Sequence, residues 1–325
     1  MKDRLGREIE YLRVSVTQNC NLKCIYCRPE DDEPEASAKS GYPCSCPATL
    51  TSSEFSMIVK VFAGLGIRKV RITGGEPLTR PDILDIVERI AAIPGIEDLS
   101  MTTNGISLGK TADKLKKAGL MRLNISLDSL KEDRFHNITG GRLEDTLSGI
   151  QKALDIGFPV RINTVLIKGI NDDEVNDFIL LTKDKPVDVR FIELMPIGKF
   201  GEEHSEKIVY NNDIINTHPK LLPCDTGVES LPARYYCTAG YRGRVGFISP
   251  VSHKFCSDCN RIRLTCDGKI KPCLGSNGEV DILSVLRDSP DKLEDFIRKA
   301  VYEKPEGHNF NKDFVSSRSM NKIGG

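Results

Sequence analysis

The sequence predicts an α/β fold: a partial (β/α)6, TIM-like barrel followed by a C-terminal extension. Two observations predict it. Short strand-like runs alternate with helical patterns through the first two-thirds of the 325 residues, and the alternation fades after about residue 210. Several of these runs also carry polar residues on one face, where parallel strands buried on both faces would be apolar throughout.

Tyr11–Thr17 reads as the first strand, with Leu12, Val14 and Val16 alternating with Arg13, Ser15 and Thr17. Helical spacing over Glu54–Leu65 precedes a second strand, Lys69–Thr73, and Pro81–Ile90 begins with a proline of the kind a first helical turn accepts. Strands at Leu99–Asn104, Arg122–Asp128, Val160–Leu166 and Val187–Met195 follow, separated by helical patterns at Thr111–Ala118, Leu143–Ile156 and Asp172–Thr182. The polar sets Arg71/Thr73, Asn124/Ser126/Asp128 and Arg161/Asn163 repeat the alternation of the first strand. An edge or half-exposed sheet would produce such a pattern once; four strands of one array point to a polar lumen that receives a charged ligand. Residues 1–215 are expected to form the barrel portion and 216–325 a separate C-terminal portion, richer in Gly, Pro and Cys.

Composition narrows the function. Lys and Arg together number 46, as do Asp and Glu, so no global field selects nucleic acid. No apolar run spans a bilayer, and Met1–Glu10 lacks a signal-peptide core, so the expectation is a cytoplasmic protein with no membrane partner. Eleven cysteines in a reducing compartment point to metal binding or catalysis. With only five histidines, any metal site is rich in sulfur.

Cys20, Cys24 and Cys27 directly follow the first strand. Three thiolates within eight residues suit a [4Fe–4S] cluster with one iron left open for a substrate; zinc is the alternative, but its knuckles use Cys-x2-Cys pairs and no partner pair is near. Cys256, Cys259 and Cys273 form a second trio, and on spacing alone a cluster and a zinc ribbon with Cys266 as fourth ligand are equal.

Cys-Asn-Leu-Lys-Cys-Ile-Tyr-Cys resembles the radical S-adenosylmethionine superfamily, as does Gly74-Gly75-Glu76-Pro77 after the second strand. The string Cys-Ser-Asp-Cys-Asn-Arg-Ile-Arg-Leu-Thr from Cys256, the later Cys273-Leu274 and the final Gly324-Gly325 resemble the GTP 3′,8-cyclase family of molybdenum-cofactor biosynthesis, over nearly the whole chain. The resemblance implies two [4Fe–4S] clusters, on Cys20, Cys24 and Cys27 and on Cys256, Cys259 and Cys273. It implies S-adenosylmethionine held by Tyr26, Gly75, Ser126 and Met195, and GTP held by Arg13, Arg71, Thr102, Arg161, Arg261, Ile262 and Arg263. It further implies cleavage of S-adenosylmethionine to a carbon radical, hydrogen abstraction from the ribose C3′, and closure onto guanine C8. No catalytic side chain beyond the cluster ligands is expected. Partners implied are a low-potential electron donor and a downstream cyclic pyranopterin monophosphate synthase, with the chain a monomer or homodimer.

Arg161 stands where the family usually has lysine. Residues 31–49, with Cys44-Ser45-Cys46, read as an inert loop; Cys224, Cys237 and Cys266 read as ordinary small side chains. The competing expectations are a radical peptide-modifying enzyme, which tends to carry more cysteines after the barrel, and a non-catalytic iron–sulfur or zinc protein.

Overall fold

Leu12, Val14 and Val16 are wholly buried, and they seat strand β1 (Tyr11–Ser15) as the first of six parallel strands laid down in chain order. The computed structural model describes residues 1–27, 49–224, 232–308, 310 and 314–324; Cys44-Ser45-Cys46 and Gly325 lie outside them.

Helix α1 (Ser52–Gly64) starts at a capping box in which Glu54 N–H donates to Thr51 Oγ1 and Thr51 N–H donates to the Glu54 carboxylate. Its apolar stripe, Phe55, Ile58, Val59 and Phe62, is buried at helical spacing. The array continues through β2 (Lys69–Thr73), α2 (Ile83–Ala91), β3 (Asp98–Thr103), α3 (Leu108–Lys117), β4 (Arg122–Ser126), α4 (Glu132–Thr139), α5 (Leu143–Asp155), β5 (Val160–Leu166), α6 (Val175–Asp184) and β6 (Val187–Glu193). Each strand pairs parallel with the next, which requires the helical crossovers between them.

Two short helices, α7 (Gly198–Glu203) and α8 (Asn211–Thr217), lead to β7 (Leu222–Pro223), β8 (Ala233–Cys237) and β9 (Val245–Ile248). Then come β10 (Arg261–Leu264), β11 (Lys269–Lys271), β12 (Val280–Asp281), α9 (Leu283–Asp288), α10 (Leu293–Tyr302) and α11 (Met320–Ile323). Strand β9 adds parallel to β6, and β10 adds parallel to β1. The C-terminal strands therefore extend both edges of the same sheet, in the order β12-β11-β10-β1-β2-β3-β4-β5-β6-β9-β8-β7. One apolar cluster runs from Ile9 to Val301 and includes Ile262, Leu264 and Ile297 beside barrel residues.

Cys224 and Cys237, expected as independent small side chains, are joined by a disulfide. The antiparallel β7–β8 pairing brings their Cα atoms to 5.7 Å, a normal bridging separation. Cys266 is buried, and burial pushes its thiol up to about 11.

Candidate active site

A cavity of about 300 Å³ is lined by residues at and beyond the C-terminal ends of the parallel strands, the usual ligand position in such arrays. All six cysteines of the two trios reach its wall.

The first trio sits on the loop after β1, and that loop is held from two sides. Gly75 N–H donates to Thr17 O and Glu76 N–H to Asn19 O, both at 2.7 Å. Lys23 and Ile25 N–H groups donate to the Thr139 and Ile138 carbonyls at the end of α4. The glycine pair has a steric reason: a Cβ on Gly75 would lie 2.3 Å from Asn19 O, and one on Gly74 would lie 2.7 Å from Thr17 O. Glu76 is 2% exposed and accepts from Thr103 Oγ1, Asn104 N–H and Leu78 N–H. Burial raises its pKa against those three bonds. This carboxylate locks the β2 turn to the end of β3, and the turn supports the cysteine loop.

Tyr26 donates to Asp128 Oδ2 at 2.7 Å, and Val165 N–H donates to Oδ1 at 2.9 Å. Burial lifts Asp128 to about 6 despite both bonds. Burial, and then the Asp128 charge, push the Cys24 thiol well up.

The second trio comes from two stretches of chain, a turn at Cys256–Cys259 before β10 and Cys273 after β11. Burial would raise the Cys259 thiol, but the Arg261 and Lys304 charges override it and pull it to about 6. Thiolate is the form that binds iron.

The donor set fits iron–sulfur clusters. Zinc draws four ligands to within about 2.3 Å of a single atom. Three free thiols at each of two places on one cavity wall suit a multi-iron cube, where each thiolate takes its own iron.

Sheet register sets Arg13 beside both Arg263 and Arg71, a row of guanidinium groups across β10, β1 and β2. Arg13 Nε and Arg71 Nε are buried without a hydrogen-bond partner. Burial lowers the Arg13 pKa well below its usual value, and the next largest influences are the like charges of Arg263 and Arg71. Burial and Arg261 bring Arg263 down to about 10. Buried cations that repel one another call for an anion, and guanidinium forks match phosphate oxygens.

Arg13, Arg71, Thr102, Arg261 and Arg263 line the cavity, as do Tyr26, Gly75, Ser126 and Met195. Two expected residues do not. Arg161 turns to Asp188, with Nε 3.7 Å from Oδ2. Ile262 is 0% exposed within the apolar core, in a strand paired on both sides, so it does not reach the cavity.

Sequence reasoning passed over Arg190, which lines the cavity and donates to Asn163 Oδ1 at 2.9 Å and Asn124 Oδ1 at 2.6 Å. Burial lowers it to about 10. Its signal was present, since Asp188 and Arg190 alternate with Val187, Val189 and Phe191 as in the earlier strands. Lys304 and Asp128 were also passed over as site residues; each has its partners far away in sequence.

The chain end closes on the same place. Arg318 pairs with Asp267 at 2.9 Å and Glu279 at 3.0 Å, Met320 lines the cavity, and Arg263 donates to the Gly324 carbonyl.

Comparison with known proteins agrees with this architecture. Residues 14–182 match the family model "Radical SAM superfamily", and residues 187–310 match "Molybdenum Cofactor Synthesis C". A GTP 3′,8-cyclase of Alkaliphilus oremlandii is 48% identical, with 100% of each chain covered. Relatives of the same name from Clostridium botulinum and Listeria monocytogenes are 46% and 45% identical, with all of this chain and 100% and 99% of theirs covered. Among solved structures, Streptococcus suis SuiB bound to precursor peptide SuiA aligns with a TM-score of 0.61 at 16% identity, over 98% of this chain and 77% of that one. At that identity the likeness concerns the fold alone. Two cysteine trios on one cavity wall, a glycine-paired clamp under the first and full-length kinship together place the chain in the GTP 3′,8-cyclase family of radical S-adenosylmethionine enzymes.

Proposed function

We propose that this protein converts GTP to (8S)-3′,8-cyclo-7,8-dihydroguanosine 5′-triphosphate, the first step of molybdenum-cofactor biosynthesis. The observation that carries the reading is a single cavity lined by two cysteine trios and by a row of arginines with buried, unpartnered nitrogens. In this reading Cys20, Cys24 and Cys27 hold one [4Fe–4S] cluster, and Cys256, Cys259 and Cys273 hold the other. With S-adenosylmethionine bound, the first centre would supply reducing power for cleavage of the sulfonium to a carbon radical, and the second would supply an open iron for the substrate's base.

The chain's own residues do the rest. Arg13, Arg71, Arg261 and Arg263 bind the triphosphate, with Thr102 completing the contacts. Arg190 is held by Asn124 and Asn163 and adds a fixed positive charge to the same wall. Arg161, bridged to Asp188, adds a more distant one. Tyr26, Gly75, Ser126 and Met195 orient S-adenosylmethionine, and the Glu76 clamp keeps the loop that carries the first trio still. Binding energy is spent on geometry: the ribose C3′ hydrogen must lie against the radical while the base is pinned.

Residues 1–215 act as the radical-generating part and 216–325 as the part that carries the second trio and the tail. A low-potential electron donor and a downstream cyclic pyranopterin monophosphate synthase complete the setting, with the enzyme a cytoplasmic monomer or homodimer. No helix among the described residues is long and apolar enough to cross a membrane.

The test is anaerobic reconstitution with iron and sulfide, then reductant, S-adenosylmethionine and a varied nucleotide. Formation of 5′-deoxyadenosine is expected to depend on GTP; formation that ignores the nucleotide would remove the substrate assignment.

A further inference from the structure

The second trio has a construction problem that the first does not. Its sulfurs sit on two stretches of chain, 256–259 and 273, with β10 and β11 between them. Their spacing holds only if those stretches are fixed to each other, and two buried cations do this.

Lys304 follows α10 and is 2% exposed. Its ammonium donates to the Arg261 carbonyl at 2.9 Å, two residues after Cys259, and to the Pro272 carbonyl at 2.6 Å, one residue before Cys273. Arg7 reaches the remaining arm. It donates to the Cys256 carbonyl at 2.8 Å and to the Glu306 and Pro305 carbonyls at 2.8 and 2.7 Å, while its Nε pairs with Asp3 at 2.7 Å. The segment 304–306 thus joins both cations to every arm of the trio.

The two cations differ in charge balance. Asp3 neutralises Arg7. Lys304 has no carboxylate in an ion pair with it among the described residues; its hydrogen-bond partners are the Arg261 and Pro272 carbonyls. Burying an ammonium among neutral carbonyls is costly without an anion beside it. A methionine would fill similar space at no such cost, so packing alone does not account for lysine. Thiolates at Cys259 and Cys273 do.

We infer that Lys304 is a positioning residue for the second cluster: it spaces the arms bearing Cys259 and Cys273 and offsets the negative charge of the bound thiolates, with Arg7 anchoring the Cys256 arm. This rests on the reading that the second trio holds a cluster. A nearby positive charge favours the reduced, more negative state of a cluster, so it raises the reduction potential.

The test uses the full-length protein, reconstituted anaerobically, as wild type, Lys304→Met and Lys304→Arg. Iron and sulfide content, electron paramagnetic resonance of each cluster and circular dichroism are measured. Wild type should hold about eight irons, two clusters of four. Lys304→Met should lose the second cluster's signal or shift its midpoint potential negative, with the first cluster's signal and the dichroism spectrum unchanged. Lys304→Arg, which keeps the charge, should hold the midpoint near the wild-type value. Equal second-cluster content and midpoint in Lys304→Met and wild type would overturn the inference while leaving the second cluster itself in place. Loss of both clusters with collapse of the dichroism spectrum in Lys304→Met and Lys304→Arg alike would also overturn it, assigning Lys304 to folding. Wild-type protein with only about four irons would remove the second cluster and this inference together.

Discussion

Each cysteine trio offers three thiols to the same cavity, and the two differ in nearly everything around them. The first is one short loop with a buried carboxylate, Asp128, next to Tyr26, and its Cys24 thiol is pushed up. The second is split between two stretches of chain and surrounded by Arg261, Arg263 and Lys304, and its Cys259 thiol is drawn down to about 6. The first loop takes its geometry from backbone hydrogen bonds to the 75–76 turn and to the end of α4, so no buried cation is needed to space its sulfurs. A trio assembled from distant segments needs cations to hold it, and those same cations leave a positive field facing the cavity. An anionic substrate is therefore expected to lean on the second trio's surroundings, and S-adenosylmethionine on the first's.

The sharpest way to break this comparison is to remove one thiol from each trio. Cys24→Ala should abolish 5′-deoxyadenosine formation, with or without GTP. Cys259→Ala should keep some cleavage but lose its dependence on GTP and form no cyclised product. Identical phenotypes, followed by chromatography of both products, would erase the functional distinction.

Arg263→Ala probes the positive side alone. Losing a charge-assisted contact of roughly 1.5–3 kcal/mol should weaken GTP binding about ten- to a hundredfold. S-adenosylmethionine binding, measured by calorimetry on the same sample, should change little.

Tyr26→Phe probes the carboxylate side. It removes the hydrogen bond to Asp128 and should lower the unfolding free energy by about 1–2 kcal/mol in urea titration, with GTP affinity unaltered. Arg318→Ala should release the chain end from Asp267 and Glu279; losing that partly exposed pair is worth up to about 1 kcal/mol, hence a rise in KM for GTP of no more than roughly fivefold. Smallest of all, Arg161→Lys keeps the charge beside Asp188 and should alter GTP affinity by less than about twofold.

Much of the barrel was legible because strand alternation is a local signal. Lys69–Thr73 and Val160–Leu166 were bounded in the sequence as they are in the structure. Helix α4 was not foreseen; it buries only Phe135, Ile138 and Thr139 in a polar stretch, too few for a periodic pattern. The polar faces led to Arg13 and Arg71, and the same rule applied to β6 leads to Arg190. Arg161 obeyed the rule yet missed the cavity wall, because alternation gives the face of a strand but not the depth along it; its register neighbour Asp188 captured it.

Short-range signals suffice for the first cysteine trio, the Gly74-Gly75 pair and the parallel array, since each is written in residues close together along the chain; the second trio was legible only through the longer string from Cys256 to Cys273. It takes the folded molecule to show that β9 and β10 add to opposite edges of the six-stranded sheet, bringing Arg263 beside Arg13. It alone joined Cys224 to Cys237, and it alone carried Lys304 and Arg7 to the carbonyls of the second trio's arms. The sheet edges and the carbonyl contacts share one cause. A backbone carbonyl or a sheet edge has no residue identity to read, so which side chain satisfies it is settled by packing across hundreds of residues.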